Sequence, residues 1–273
     1  MRMQPTIAIL GGGNLGKSIA LGLASTDRYA PEQIIVTKRR LQGLEELSDE
    51  GIQLTSDSLA AIEKAHLVLL CVQPKQLEAL LNSIKVALDP QQHVLVSTIT
   101  GLSIDRIEEQ VGTGFPIVRA MPNTAIAIRE SMTMLAAKNT RENVLAEVQE
   151  VFDVMGRTLI IEEGLMAAAT VLGASGIAFC LRYIRAAAQG GIQMGFHAEE
   201  AQAIAVQTCR GAASLILEAG KHPEREIDKV TTPQGCTIAG LNEMEHHGMS
   251  SAVIRGIMAS FDKIANIQEE VKK

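Results

Sequence analysis

Aromatic side chains are scarce in this sequence: Phe, Tyr and Trp together make up 3% of 273 residues. A chain of this length can bury a large core, and two domains are the better expectation. That core must be aliphatic, with eleven methionines filling it and its interfaces. Cysteine is sparse too. Cys71, Cys180, Cys209 and Cys236 lie far apart with no CxxC pair, which argues against a zinc site or a small disulfide framework and suits a reducing cytoplasm. Positive charge is not in excess: 25 basic against 31 acidic side chains leave a net charge of -6, so nothing draws the chain generally to nucleic acid or to an anionic membrane. Long apolar runs are missing as well. The longest, MAAATVLGASGIAFCL (166–181), stops at Arg182, short of the roughly 20 residues that span a bilayer. The N-terminal MRMQPTIAILGGG has too short an apolar run, broken by glycines, for a secretory signal. These lacks predict a cytoplasmic protein with no metal, nucleic-acid or membrane partner.

What is present divides the chain in two. Up to about Ile161, β-branched runs (TIAIL, IIVT, LVLLC, HVLVS, PIVRA, SMTMLAA, RTLII) alternate with helical stretches such as LGKSIALGLAS, QLEALLNSIKVAL and ENVLAEVQEVFDVM. That alternation is the pattern of βαβ units around a mostly parallel sheet, an α/β fold. Beyond Glu162 the strand signals nearly vanish, and alanine-rich segments such as AEEAQAIAVQTCRGAASLILEAG predict helices. The expected domains are residues 1–163 and 164–273. A helical half so poor in aromatics needs a partner chain to complete its core, which predicts a homodimer. The charged end QEEVKK reads as a solvated helix terminus.

Strand TIAIL runs straight into GGGNLGKSIALGLAS, so Gly11, Gly13 and Gly16 form GxGxxG at a strand-to-helix turn. In that context Gly11 makes the tight turn, Gly13 lets a pyrophosphate approach the backbone, and Gly16 packs the helix on the strand. The free amides of the helix start then face the phosphates. An NAD-binding protein places a carboxylate at the end of the second strand. Here that strand ends in Thr37, Lys38, Arg39 and Arg40. Such a cationic end welcomes a 2'-phosphate, which makes NADP the expected cofactor with NAD as the alternative.

Further segments, in this order and spacing, resemble the pyrroline-5-carboxylate reductases over nearly the whole chain: CVQPKQ (71–76), STITGLSID (97–105), RAMPNT (119–124), VLGASGIAF (171–179) and HPEREIDKVTTPQGCTIAGL (222–241). The resemblance implies an N-terminal Rossmann domain, doubly wound, followed by an all-helical dimerisation domain, with dimers assembling into rings. It implies hydride transfer from NAD(P)H to the imine carbon of Δ1-pyrroline-5-carboxylate, giving L-proline, the last step of proline biosynthesis. By position, Gly11, Gly13, Asn14, Leu15 and Gly16 would hold the pyrophosphate, and Thr37 to Arg40 the adenosine ribose. Cys71, Gln73, Pro74, Met121 and Asn123 would line the nicotinamide side. The uncharged loop TTPQGCT, reaching across from the partner subunit, would hold the substrate through Thr232, Gly235, Cys236 and Thr237. Thr237 matches the threonine near the imine nitrogen and carries the catalytic assignment. Backbone amides of such a loop can grip a carboxylate without a buried arginine.

The chain departs from the family where PGGTT or PGGAT is usual: it reads Pro233, Gln234, Gly235, Cys236, Thr237. A glycine at 234 that took positive φ would make Gln234 strained. Ile177 replaces a proline, Gln73 a lysine and Ala125 a proline, while Arg129, Glu130 and Ser131 replace a glycine-rich stretch. The alternative expectation is therefore a non-catalytic or altered-substrate homologue that still binds NADP(H).

Overall fold

A computed structural model describes residues 5–138 and 140–272, with side chains through residue 266. Residues 1–4 of the N-terminal segment and the side chains of QEEVKK lie outside the described residues. The strands are β1 (Ile7–Leu10), β2 (Ile34–Thr37), β3 (Gln53–Thr55), β4 (Leu67–Leu70), β5 (Val94–Ser97), β6 (Ile117–Met121), β7 (Ser131–Ala137) and β8 (Gly156–Ile160). They form one sheet in the order β3-β2-β1-β4-β5-β6-β7-β8, parallel throughout except for the antiparallel β6–β7 pair. The first six strands follow the order of a Rossmann sheet, the strand order switching between β1 and β4 while all six stay parallel. Seven strands fall where the sequence predicts them. The eighth, β3, is an addition: Gln-Leu-Thr is short and not buried, so it gives no apolar run.

The helices of this part are α1 (Asn14–Ala24), α2 (Glu45–Asp49), α3 (Ser58–Ile62), α4 (Pro74–Ile84), α5 (Ile104–Val111) and α6 (Glu142–Asp153), followed by α7 (Met166–Ala169). Successive side chains of a strand face opposite ways, and here both faces are covered. Ile7 and Ile9 join Ile19 and Leu23 of α1 and Phe152 of α6 on one face. Ala8 and Leu10 join Ile62 of α3, Leu81 of α4 and Ile107 of α5 on the other. A third cluster holds Met121, Met134, Ala136 and Met166.

A π-helix (Thr170–Ser175) follows α7, and then come α8 (Gly176–Gln193), α9 (Ala198–Ala219), α10 (Pro223–Val230), α11 (Cys236–His246) and α12 (Met249–Lys272). The chain divides into two compact units: the described residues through Ser175 with the chain from Phe261 onward, and Gly176–Ser260. In the second unit α8 and α9 pack through small residues; a Cβ on Gly191 would stand 2.9 Å from Cβ of Ala201. Little else is buried there. Gly191 in α8 and Ala201 and Ala205 in α9 are buried, while α10 and α11 bury no residue.

Helical turns of 3-10, α and π type follow one another from Glu163 to Gln193. The apolar run read from sequence ended at residue 181, but the helical stretch continues past Arg182 and is long and apolar enough to cross a membrane by length and composition. A run this apolar in a protein without a membrane partner would be expected to pack inside the fold. Instead 17% of its most apolar window is buried in the single chain.

Candidate active site

At the carboxyl end of β1, Gly11 adopts φ +124, a region closed to most L side chains. A Cβ there would lie 2.5 Å from the Cys71 carbonyl oxygen at the end of β4. The Gly11 and Gly12 amides donate to the Thr37 carbonyl of β2 at 3.2 and 2.8 Å, so the glycine turn is tied to the end of that strand. At Gly16 a Cβ would run into the Gly11 carbonyl, which explains the close seat of α1. Gly13 is different: its Cβ position meets nothing within 4 Å. It is also the N-cap of α1 and offers no side-chain cap, leaving the first helix amides available to an anion.

These residues open into a cavity of about 1380 Å³. It gathers Gly11, Gly13, Thr37, Lys38, Arg39, Arg40, Cys71 and Gln73 of the predicted set. Asn14 and Leu15 stand in the first turn of α1, and Pro74 opens α4. Met121 ends β6 and Asn123 caps the 3-10 turn Thr124–Ile128; both are buried and neither lines the cavity. The chain also supplies a wall that the sequence reading missed: Ser56, Asp57, Ser58 and Leu59 after β3, and Lys75, Gln76 and Ala79 on α4. Recognising β3 would have pointed to the first group, because the strand after β2 in a Rossmann sheet ends beside it.

The three cations are not equivalent. Lys38 Nζ donates to the Gln42 carbonyl at 2.8 Å and so braces the turn after β2. Beside it the Glu45 carboxyl is held below its ordinary pKa, chiefly by the Gly43 amide, with Lys17 and Lys38 adding to the effect. The Asp57 carboxylate lines the cavity, yet it is engaged as the α3 N-cap by the amides of Leu59 and Ala60 at 2.9 and 3.1 Å. Arg39 and Arg40 are exposed on the cavity wall. Burial pushes the Cys71 thiol up to about 12, which disfavours the thiolate, against the smaller opposing pull of the Thr98 hydroxyl at 3.4 Å. Glycine turn, uncapped helix start and exposed arginines together fit an NADP-type dinucleotide.

In the second unit the neutral loop forms a tight turn, with the Gly235 amide donating to the Thr232 carbonyl at 3.0 Å. Proline at the second position and a left-handed third, Gln234 at φ +58, are the pattern of a type II turn. Gly235 has no room for a side chain, since a Cβ would stand 2.5 Å from Thr232 Oγ1. It is the N-cap of α11 and, like Gly13, provides no side-chain cap. Cys236 and the half-buried Thr237 are the first two residues of that helix. Thr232, Gly235, Cys236 and Thr237 thus surround a second uncapped helix start. His246 and His247 close the same helix at its solvated end, where His247 pairs with Glu243 at 3.0 Å.

Residues 163–267 match the family model for pyrroline-5-carboxylate reductase dimerisation, and residues 6–101 match that for NADP oxidoreductase, coenzyme F420-dependent. Pyrroline-5-carboxylate reductase 2 of Dictyostelium discoideum is 43% identical over 289 residues, covering 100% of this chain and 96% of that protein. This chain belongs to the pyrroline-5-carboxylate reductase family. Pyrroline-5-carboxylate reductase 1 of the same organism is 47% identical over 96% of this chain, which spans only 49% of that relative's length. The crystal structure of the Plasmodium falciparum reductase with NADP bound superposes with a TM-score of 0.89 at 22% identity, covering 97% of this chain and 99% of the other. At that identity the likeness speaks for the fold. A Rossmann sheet followed by the family's helical dimerisation region is what the sequence predicts.

Proposed function

We propose that this protein reduces Δ1-pyrroline-5-carboxylate to L-proline with NADPH. NADPH supplies the hydride from C4 of its nicotinamide; the imine carbon accepts it, and the ring nitrogen, carrying a proton from solvent, becomes the amine. The uncapped start of α1 and the open space at Gly13 suit the pyrophosphate, with Arg39 and Arg40 taking the 2'-phosphate. The uncapped start of α11 suits the substrate carboxylate, gripped by the amides after Gly235. The Thr237 hydroxyl is assigned to the imine nitrogen. An iminium is already electrophilic, so alignment and exclusion of water are the main demands on the chain.

The observation that supports this reading is that a family member has two glycine-capped helix starts without a side-chain cap, one in each unit; the reading gives one to each anionic reactant. The division of labour is taken to fall near residue 163, where the dimerisation match begins. The chain acts as a homodimer, with a ring of dimers as the larger assembly, in the cytoplasm, where its free cysteines stay reduced. The left-handed Gln234 in the substrate turn favours one alternative, reduction of a different cyclic imine. The decisive assay follows NADPH oxidation at 340 nm with Δ1-pyrroline-5-carboxylate and a panel of cyclic imines. Turnover is expected with the former, falling at least about ten-fold in Thr237→Ala. Absence of turnover with every imine, in well-folded protein, would leave only a binding homologue.

A further inference from the structure

Asn123 stands two residues beyond β6 and is 8% exposed. Its carboxamide is engaged at both ends inside the first unit. Oδ1 accepts the Ala125 amide at 3.0 Å, and Nδ2 donates to the Gly173 carbonyl at 3.1 Å. Its own amide donates to Ser131 Oγ at 3.2 Å, which fixes the backbone on β7. Gly173 lies within the π-helix Thr170–Ser175. A π turn interrupts the regular helical ladder, so a carbonyl in it is open to a donor from outside the helix. The π-helix is also pressed on β7: a Cβ on Gly173 would run into Met134 Cε and come within 3.3 Å of its Sδ. Met134 is itself packed with Met121 and Met166.

We propose that Asn123 is a positioning residue: through Nδ2 and the Gly173 carbonyl it pins the π-helix to the carboxyl end of β6, and it is not a side-chain ligand of the cofactor. In an open parallel sheet the ligand lies beyond the carboxyl ends of the strands. One hydrogen bond therefore ties that end to the turn feeding into α8. Hydride transfer is sensitive to misplacement of about 1 Å, so slackening this tie lowers the chemical step while leaving cofactor binding intact. The activity readout rests on the reductase reading above.

Asn123→Asp tests it in the full-length protein, because aspartate keeps the acceptor for Ala125 and loses the donor to Gly173. The expected result has three parts: kcat down by about ten-fold or more, NADPH Kd within about two-fold of wild type, and faster amide hydrogen exchange in residues 170–175. Loss of NADPH affinity in proportion to kcat would make Asn123 a direct ligand and overturn the proposal. So would an unchanged kcat or unchanged exchange. Should Asn123→Asp fail to fold, Gly173→Ala pushes on the same turn from its other side. It should lower kcat without weakening NADPH, and Met134→Ala, which vacates the space, should restore kcat in the double variant. Wild-type kcat in Gly173→Ala, or no restoration in the double variant, would equally overturn it. Failure of the reductase reading itself is separate, since wild-type protein would then show no imine turnover while the exchange and NADPH-binding comparisons still decide what Asn123 does.

Discussion

Gln234 at φ +58 and Arg129 at φ +59 are the non-glycine residues with positive φ among the described residues. Both stand where the family resemblance puts glycine, so the sequence departures and the left-handed backbone coincide. For an L residue this conformation costs about 1–2 kcal/mol. Such strain persists where surrounding structure over-determines it, and the turn proposed to hold the substrate is one such place. Gln234→Gly relieves the strain and returns part of the gain through the entropy of the unfolded chain. The expected outcome in urea unfolding is a net stabilisation of up to about 1 kcal/mol, with Gln234→Asn intermediate and Gln234→Val less stable than wild type. A glycine variant less stable than wild type would show that the side chain contributes more to the fold than the backbone loses. The residue scale is also where legibility was uneven. GxGxxG could be read because each glycine answers one steric demand. The second commitment of Asn123 could not, since Gly173 lies fifty residues away in sequence and no local pattern announces it.

Among elements, the inner strands of the sheet were legible because burial on both faces leaves near-continuous apolar runs. β3 and the π-helix were not. β3 is three residues with two polar side chains, and a single π turn shifts helical phase too briefly to disturb the periodicity of 166–181. Missing β3 hid the Ser56–Leu59 wall of the cavity, although the end of β2 beside it was read correctly as cationic. There the structure sharpens the expectation. Lys38 is engaged with the Gln42 carbonyl, whereas Arg39 and Arg40 face the cavity. Replacing both arginines by alanine should raise KM for NADPH by about ten-fold or more and leave KM for NADH within about three-fold, each charge-assisted phosphate contact contributing roughly 1.5–3 kcal/mol. Lys38→Ala should discriminate less between the two cofactors. Steady-state kinetics with both reduced cofactors provide the measurement, and equal losses for NADPH and NADH would place the 2'-phosphate elsewhere.

At the scale of the whole molecule, the second unit is the part that cannot be understood as a single chain. Its helices expose Leu181, Ile204, Leu215, Leu217, Val253 and Ile254, each at 48% or more. A soluble monomer seldom leaves so much apolar surface uncovered. The same shortage of burial that the scarce aromatics suggested is visible as helices with small residues inside and large ones outside. Two coverings would satisfy that surface, a second copy or a lipid bilayer, and the helical stretch 163–193 has enough residues for either. The dimerisation match over residues 163–267 favours a second copy, as do Arg182 and Arg185 within that stretch, because a cation at the bilayer centre costs about 2.5–3.5 kcal/mol. Protein prepared without detergent should sediment at no less than twice the 29.2 kDa chain mass. Its melting temperature should rise with protein concentration, as linkage between folding and association requires. Charges placed on the outer face, as in Ile204→Glu with Leu215→Glu, should produce a monomer that melts earlier and loses imine turnover if both units must be completed by the partner. Detergent-dependent solubility with recovery in the membrane fraction would instead assign the apolar face to lipid. A wild-type monomer at micromolar concentration, with a melting temperature independent of dilution, would refute both coverings.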